Sequence, residues 1–459
     1  MLLDYFQSIL RSYVQVWRDA GIINDVQYQQ ITQHYLTNLE TTAKNRFIFI
    51  LIALGIILVV SGAIAFVAVN ERVLPREIRV TLLLSLLVTT NITGFYLWQQ
   101  SIQVMLSGRK PKQRKYILGQ SLIILSALLL GVNLSLIAQM FHINQANYEW
   151  LLIWGIGVTC MAYSYGEGKL AILGLVIVLV GYLTGLRELP FLNNDVSWAL
   201  IIVEHMPLVL WVVFLPLAIW CKSRTSFTLT VIAFTLALQL NIKPLQYLNT
   251  TNNLSWLAAF AFVLPPALLW SYDDLLFPKV RKRYFQGVAR NLALLCLGIF
   301  FYILGFLRYW QAPSLTLSHT ILVNLQFNTS IIIDIAFLSL IAVTQWLFMI
   351  QQKFSWKNII ILTGIVICGL APFLNYLNIN IPGAPTILFN ALFIIFALLL
   401  ILHALHSKER REFWVGILML MLLVVTRMYE YQTDLLLVSL ILTLCGLAVI
   451  GTVIVVRSP

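Results

Sequence analysis

The sequence predicts an all-α, polytopic transmembrane helix bundle of 12–14 spans with a short N-terminal cytoplasmic helical hairpin. Of its 459 residues, 60% are hydrophobic and only 10% are charged, whereas soluble globular domains carry about 25% charged residues. The mean hydropathy is +0.87. Apolar runs of roughly 20 residues, the length needed to cross a bilayer, recur along the chain. These observations identify a membrane protein whose main partner is the lipid bilayer.

The strong positive charge does not indicate nucleic-acid binding. The formal net charge is +12, but the basic residues lie in short loops between apolar runs, where membrane topology places them. The sequence shows no soluble basic domain that would form a nucleic-acid surface. We therefore expect no nucleic-acid partner.

Residues 1–46 precede the first apolar run and are predicted to form a cytoplasmic amphipathic helical hairpin. Apolar side chains recur at helical spacing between residues 3 and 20, and Gly21 suits the end of that helix. Asn24 and Gln27 resemble a capping box that begins a second helix. The hairpin is expected to close on itself, to lie on the membrane surface, or to bind a protein partner.

Residues 47–459 are predicted to form the transmembrane helix bundle. The first long apolar run begins only at Phe47, so we expect an uncleaved first span and no cleavable signal peptide. The run 226–241 is short, which sets the range of 12–14 spans. The fourteen candidate spans are 47–69, 80–98, 117–139, 149–165, 168–186, 199–220, 226–241, 254–271, 291–309, 330–350, 358–376, 386–405, 413–428 and 435–456.

The distribution of lysine and arginine predicts the orientation of these spans. With fourteen spans and a cytoplasmic N-terminus, only seven of the 30 basic residues fall on the opposite side. The basic clusters at 109–115, 279–283 and 408–411 are then all cytoplasmic, as the positive-inside rule requires. We expect a multi-pass protein of the bacterial cytoplasmic (inner) membrane with both termini in the cytoplasm.

The stretch 119–165 is predicted to be a hairpin of two spans that meet at a polar tip. Small and polar residues lie along one face of its first helix, up to Gln139 and His142. These two residues are three positions apart, so both can face one cavity at the mouth of the bundle. Such a histidine would bind an anionic group, exchange a proton or hydrogen-bond a neighbouring helix.

Ionisable residues inside predicted spans are costly and therefore informative. Asp334 lies a few residues inside 330–350 and is either an interfacial carboxylate or part of a proton- or cation-coupled site. Glu204 and His205 are expected at the water boundary, and Arg427 with Glu430 is expected to form a local ion pair. The candidate ligand-binding residues are Gln139, His142, Asn133 and Asp334.

Sequence motifs of common enzymes are missing. The chain has no P-loop, HExxH, GxSxG or paired acidic motif. The five cysteines are far apart within or at the ends of apolar runs, so they are interpreted as packing residues. We predict no catalytic residues, no cofactor and no metal, and the chain is more consistent with a non-enzyme. Proline interrupts the predicted spans at Pro216, Pro265–Pro266 and Pro372, either as packing kinks or at a transport site.

Three segments resemble a family of uncharacterised bacterial membrane proteins, domain of unknown function 2157. The first is 17–23 (WRDAGII), continuing to Ile31 and Tyr35; the second is 137–143 (IAQMFHI), followed by 151–154 (LLIW). The tail 426–430 (TRMYE), leading to Leu435, is similar to an element near the C-terminus of some long members. The first two segments cover about 10–165. The resemblance implies a helical protein of the cytoplasmic membrane and brings no established activity or catalytic residue.

The sequence leaves three functions open. The leading one is transport or translocation of a small or amphipathic solute, which would be a small-molecule or lipid substrate. A non-catalytic scaffold, sensor or assembly factor would act through the N-terminal hairpin on a protein partner. An integral membrane enzyme acting on a lipid-linked substrate is the third.

Overall fold

The computed structural model describes most of the chain between residues 75 and 431. The described ranges are 75–106, 113–141, 146–188, 197–248, 256–276, 283–310, 329–352, 356–376, 383–407 and 410–431, with isolated positions in 15–30, 51–65 and 439–446. Within them every regular element is a helix, which confirms the predicted all-α bundle. Most residues of the predicted spans 47–69 and 435–456 and of the N-terminal hairpin lie outside the described residues.

Thirteen main helices form the described bundle. A helix pairs its backbone groups within one segment, as the interior of a bilayer requires. The helices are α1 (Arg76–Leu106), α2 (Gln113–Met140), α3 (Asn147–Tyr165), α4 (Gly168–Glu188), α5 (Trp198–Glu204), α6 (Met206–Trp220), α7 (Arg224–Ile242), α8 (Trp256–Trp270), α9 (Gln286–Leu304), α10 (Thr329–Gln352), α11 (Trp356–Tyr376), α12 (Ala384–Ser407) and α13 (Arg410–Glu430).

These helices coincide with twelve of the fourteen predicted spans. In the described part of the chain, eight helices are long and apolar enough to cross a membrane, and α5 with α6 makes a ninth if the bent pair is one span. Helix α8 and the segment Asn358–Leu374 of α11 are shorter apolar helices. The chain is therefore a polytopic membrane protein, and its predicted total of 12–14 spans stays a prediction.

The chain divides into two compact units, residues 1–161 and 162–459. In the first unit, α1 and α2 pack closely as an antiparallel pair. A Cβ added to Gly119 would lie 2.6 Å from the backbone nitrogen of Trp98, so only glycine permits this approach. Asn91 Nδ2 donates a hydrogen bond to Ser126 Oγ at 3.1 Å, which fixes the register of the two helices.

In the second unit, α8 is buried along almost its whole length between α9, α10 and α11. Helix α4 packs against α7, and α12 packs against both α9 and α13. Helix α8 continues through Pro265–Pro266 and α11 through Pro372, so these prolines do not end their helices. The marked break in this unit lies instead between α5 and α6.

The capping box predicted for Asn24 and Gln27 in the N-terminal segment is confirmed. The backbone nitrogen of Asn24 donates to Gln27 Oε1 at 3.1 Å, and Asn24 Oδ1 accepts from the nitrogen of Val26 at 2.7 Å. Gly21 adopts φ +70°, a left-handed conformation that glycine allows at low cost.

Candidate functional site

The second unit contains a broken membrane segment centred on His205. Helices α5 and α6 are bent by 80° with respect to each other. Pro207 occupies the first turn of α6, where the missing backbone donor costs no helical hydrogen bond. A π-helical turn, Leu210–Phe214, follows and ends directly before the turn that contains Pro216. Such turns inside helices are frequent at functional sites.

His205 at this break contacts a carboxylate from another spanning helix. Its Nδ1 lies 2.5 Å from Oδ1 of Asp334, which belongs to α10. The Asp334 side chain is 4% exposed, whereas that of His205 is 24% exposed. Asp334 is therefore enclosed by the protein, and His205 is the member of the pair that reaches its surroundings.

Neighbouring polar groups hold the broken end of α5 in place. Asn241 Nδ2 donates to the carbonyl oxygen of Glu204 at 2.7 Å, which satisfies a carbonyl that the helix leaves open. Tyr182 OH in turn donates to Asn241 Oδ1 at 2.6 Å. One turn before Asp334 on α10, the buried hydroxyl of Ser330 has no hydrogen-bond partner. The site therefore joins three helices, α4, α7 and α10, to the break at His205.

This arrangement can hold and release a proton. An imidazole and a carboxylate in contact form an ion pair when the imidazole is protonated, and the pair is then neutral overall. Ionisable residues inside membrane segments are rare, and they mark functional sites of several kinds, among them ion pathways, proton relays and ligand counter-ions. Among the described residues, no group of three or more His, Cys, Asp or Glu side chains could hold a metal ion.

The structure locates three of the four predicted ligand-binding residues. Asp334 joins His205 in the second unit. Asn133 and Gln139 lie on α2 in the first unit, where Asn133 is buried and Gln139 is exposed. Asn133 Nδ2 donates to the carbonyl oxygens of Leu129 at 2.8 Å and Leu83 at 3.4 Å, and its Oδ1 has no partner. His142 lies outside the described residues.

Sequence reasoning did not link His205 to Asp334. The two residues are 129 positions apart, and no local pattern connects them. The available signal was the pair Glu204–His205 followed by Pro207, since a proline directly after polar residues can mark a broken span.

A second polar cluster surrounds Arg427 on α13 and confirms the predicted ion pair with Glu430, at 2.8 Å. Arg427 also donates to Asn390 Oδ1 at 2.9 Å and to the carbonyl oxygen of Tyr302 at 3.0 Å. Its guanidinium lies 3.8 Å from the ring centroid of Phe306. The cluster borders a pocket of about 530 Å³ lined by Phe306, Leu307, Arg308, Thr426, Tyr429 and Glu430.

Comparison with known proteins identifies one similarity. Residues 15–171 match the family model described as "Predicted membrane protein (DUF2157)", which confirms the resemblance of the N-terminal third to that family. No curated protein and no solved structure matches the chain. The match supports the membrane nature of the protein and carries no activity with it.

Proposed function

We propose that this chain transports a small or amphipathic solute across the membrane, and that His205 and Asp334 carry a proton during the transport cycle. The observation that supports the proposal is a buried carboxylate on one spanning helix, hydrogen-bonded to an imidazole at the break of another. Transporters commonly build their substrate and ion sites from such discontinuous helices.

The chemistry of the pair links proton movement to helix movement. While His205 is protonated, its charge balances that of Asp334. If the proton leaves through the partly exposed imidazole, Asp334 remains as an uncompensated charge in apolar surroundings, which is strongly unfavourable. Uptake of a proton by Asp334, or movement of α10 relative to the break, relieves that cost. The protonation state of the pair therefore biases the position of α10, as coupling requires.

The proposal includes the location of the protein and the predicted solute contacts. We place the chain in the bacterial cytoplasmic membrane with both termini in the cytoplasm. Gln139, His142 and Asn133 remain proposed ligand contacts in the first unit. Asp334 has the narrower proposed role of proton carrier.

Inverted membrane vesicles energised by respiration would test the proposal. Respiration acidifies the interior of these vesicles, and the fluorescence of acridine orange reports the pH difference across their membrane. Alkali cations, sugars, amino acids, organic acids and amphipathic cations are then added in turn. Wild type is compared with Asp334→Asn, His205→Gln and the control His403→Gln, whose histidine side chain is 63% exposed.

We expect one solute class to dissipate the gradient in wild-type and His403→Gln vesicles and to have no effect in the other two variants. If Asp334→Asn and His205→Gln vesicles respond as strongly as wild-type vesicles, the proton-carrying role is overturned. The absence of any response in wild-type vesicles across the panel would overturn the transport proposal.

A further inference from the structure

Arg79 is a buried cation to which the described part of the chain supplies no anion. The residue is only 8% exposed, and its Nε has no hydrogen-bond partner. Among the described residues no ion pair includes Arg79. Burying a cationic side chain without a counter-charge is strongly unfavourable.

The packing of α1 against α2 shows where this cation lies. Gly94 approaches Ile123, and Asn91 is bonded to Ser126, so the two helices run antiparallel in a fixed register. Farther along, Leu83 packs against Met140 at the end of α2. Arg79 is one helical turn before Leu83 on the same buried stripe of α1. It therefore faces the last turn of α2.

Helix α1 makes this burial unusual. Only 11% of the most apolar stretch of α1 is buried. Most side chains of this helix therefore lie on the surface of the protein, where they contact lipid or water. Arg79 instead occupies one of the few buried positions, although it stands in the first turns of Glu77–Val104, the part of α1 that is long and apolar enough to cross a membrane. An arginine near a helix end normally extends towards the interface. The inward position of Arg79 therefore calls for a negatively charged partner for its guanidinium.

Two carboxylates of the first unit, one at the start of α1 and one at the start of α3, do not fill that role. Glu77 is exposed on the same turn of α1, and Glu149 is 9% exposed at the start of α3. Neither forms an ion pair with Arg79 in the described part of the chain. The carbonyl groups at the end of α2 carry only partial negative charge. A full negative charge therefore has to come from outside these elements.

We propose that Arg79 binds an oxyanion, a phosphate or carboxylate group, between the start of α1 and the end of α2. The planar guanidinium matches such groups in geometry and forms strong, charge-assisted hydrogen bonds with them. Gln139, exposed in the last turn of α2, lies at the same end of this helix pair. The oxyanion is either the headgroup of an anionic lipid or a soluble anion. This site belongs to the first unit and does not depend on transport through His205 and Asp334.

Two measurements on the full-length protein distinguish these sources. Native mass spectrometry counts phosphatidylglycerol retained by protein taken from phosphatidylcholine discs that contain it. Thermal unfolding in a neutral detergent, with sodium phosphate or sodium citrate compared with sodium chloride at equal ionic strength, detects a soluble anion. Wild type is compared with Arg79→Gln and Arg79→Lys. Lys115→Gln is the matched control, because Lys115 is an exposed cation at the opposite end of α2.

We expect wild type and Lys115→Gln to retain the lipid or to be stabilised by the soluble oxyanions. Arg79→Gln should weaken binding by about tenfold or more, the effect of losing a charge-assisted bond. Arg79→Lys should fall between them, because it keeps the charge and loses the planar fork. If Arg79→Gln does not fold, wild type against Arg79→Lys decides the matter. Equal lipid retention and equal anion stabilisation in wild type and both Arg79 variants would overturn the proposal.

Discussion

Arg427 connects three segments of the second unit through a single side chain. Its ion pair with Glu430 is local, three residues along one helix, and could be predicted from the sequence. Its bonds to Asn390 and to the carbonyl oxygen of Tyr302 join residues 37 and 125 positions away. No sequence pattern encodes those distances. The same contrast explains why Asp334 could be recognised as a candidate residue while its pairing with His205 could not.

Glycine has a comparable role beside Arg427. A Cβ on Gly305 would lie 2.7 Å from both Arg427 Nη2 and Asn390 Oδ1. The absence of a side chain at Gly305 therefore lets the guanidinium and the amide meet over the turn that follows α9. The sequence places a glycine at the end of an apolar run, but the reason for it lies in residues from α12 and α13.

Cys221 provides a prediction about pH at the level of one residue. Burial raises the pKa of this thiol to about 11, and the negative charge of Glu167 adds to the effect. Only the thiolate reacts with alkylating reagents. At pH 8 a thiol with this pKa should therefore react about a hundredfold more slowly than one with an ordinary pKa.

The measurement uses a variant in which the other four cysteines are replaced, so that only Cys221 reports. Its rate of alkylation by iodoacetamide should keep rising with pH up to about 11. Glu167→Gln should increase the rate at pH 8, because it removes the negative charge that opposes ionisation. A rate that levels off near pH 9 in the folded protein would contradict the prediction.

At the scale of elements, the loop between α8 and α9 shows how a buried carboxylate begins a helix. Asp274 is fully buried, and its Oδ2 accepts hydrogen bonds from the backbone nitrogens of Phe285 at 2.7 Å and Gln286 at 3.2 Å. Tyr272 OH donates to its Oδ1 at 2.9 Å. Burial and the neighbouring carboxylate raise the pKa of Tyr272, so its hydroxyl stays protonated and remains a donor.

Asp274→Ala should therefore destabilise the second unit. It leaves two backbone donors of α9 and one tyrosine hydroxyl without an acceptor, at an expected cost of about 2 kcal/mol or more. Tyr272→Phe removes only one of these bonds and should cost about 1 kcal/mol. Unfolding of the purified protein in mixed detergent micelles measures both values. If Asp274→Ala proves no less stable than Tyr272→Phe, the carboxylate does not hold the start of α9.

The sequence predicted most helices correctly because their apolar runs are long and separated by polar loops. The break at His205 was not predicted as such, since 199–220 was interpreted as a single span with Glu204 and His205 near its water boundary. Pro207, Pro216, a π-helical turn and one hydrogen bond from α7 divide this segment. Hydropathy indicates how well a segment fits lipid, and helix propensity indicates how readily it becomes helical. A bend of 80° depends instead on residues elsewhere in the fold.

At the scale of the whole molecule, the predicted alternation of spans assigns hydrogen-bonded residues of the second unit to the same side of the membrane. His205 and Asp334 both lie near span ends that the fourteen-span prediction assigns to the outer side. Tyr182 and Asn241, which are hydrogen-bonded to each other, are assigned there as well. Trp270 and Asn358 meet at 3.2 Å, and both belong to ends assigned to the cytoplasm. A wrong number of spans between these residues would place bonded partners on opposite sides.

Reporter fusions test this alternation together with its absolute direction. Truncations after Lys110, Lys279 and Lys408 should give fluorescent fusions with green fluorescent protein and inactive fusions with alkaline phosphatase, because these basic loops are predicted to be cytoplasmic. Truncations after Asn193 and Pro313 should give the reverse. In a further fusion truncated after Arg283, replacing Lys279 and Arg281–Arg283 by glutamine should lower the fluorescence and raise the phosphatase activity. Opposite results at Lys279 and Lys408 would mean that one helix between them does not cross the membrane. Helices α9–α12 lie in this interval, and one of them would then have to be re-entrant. Helix α11 is the first to examine, because its apolar part is the short segment Asn358–Leu374.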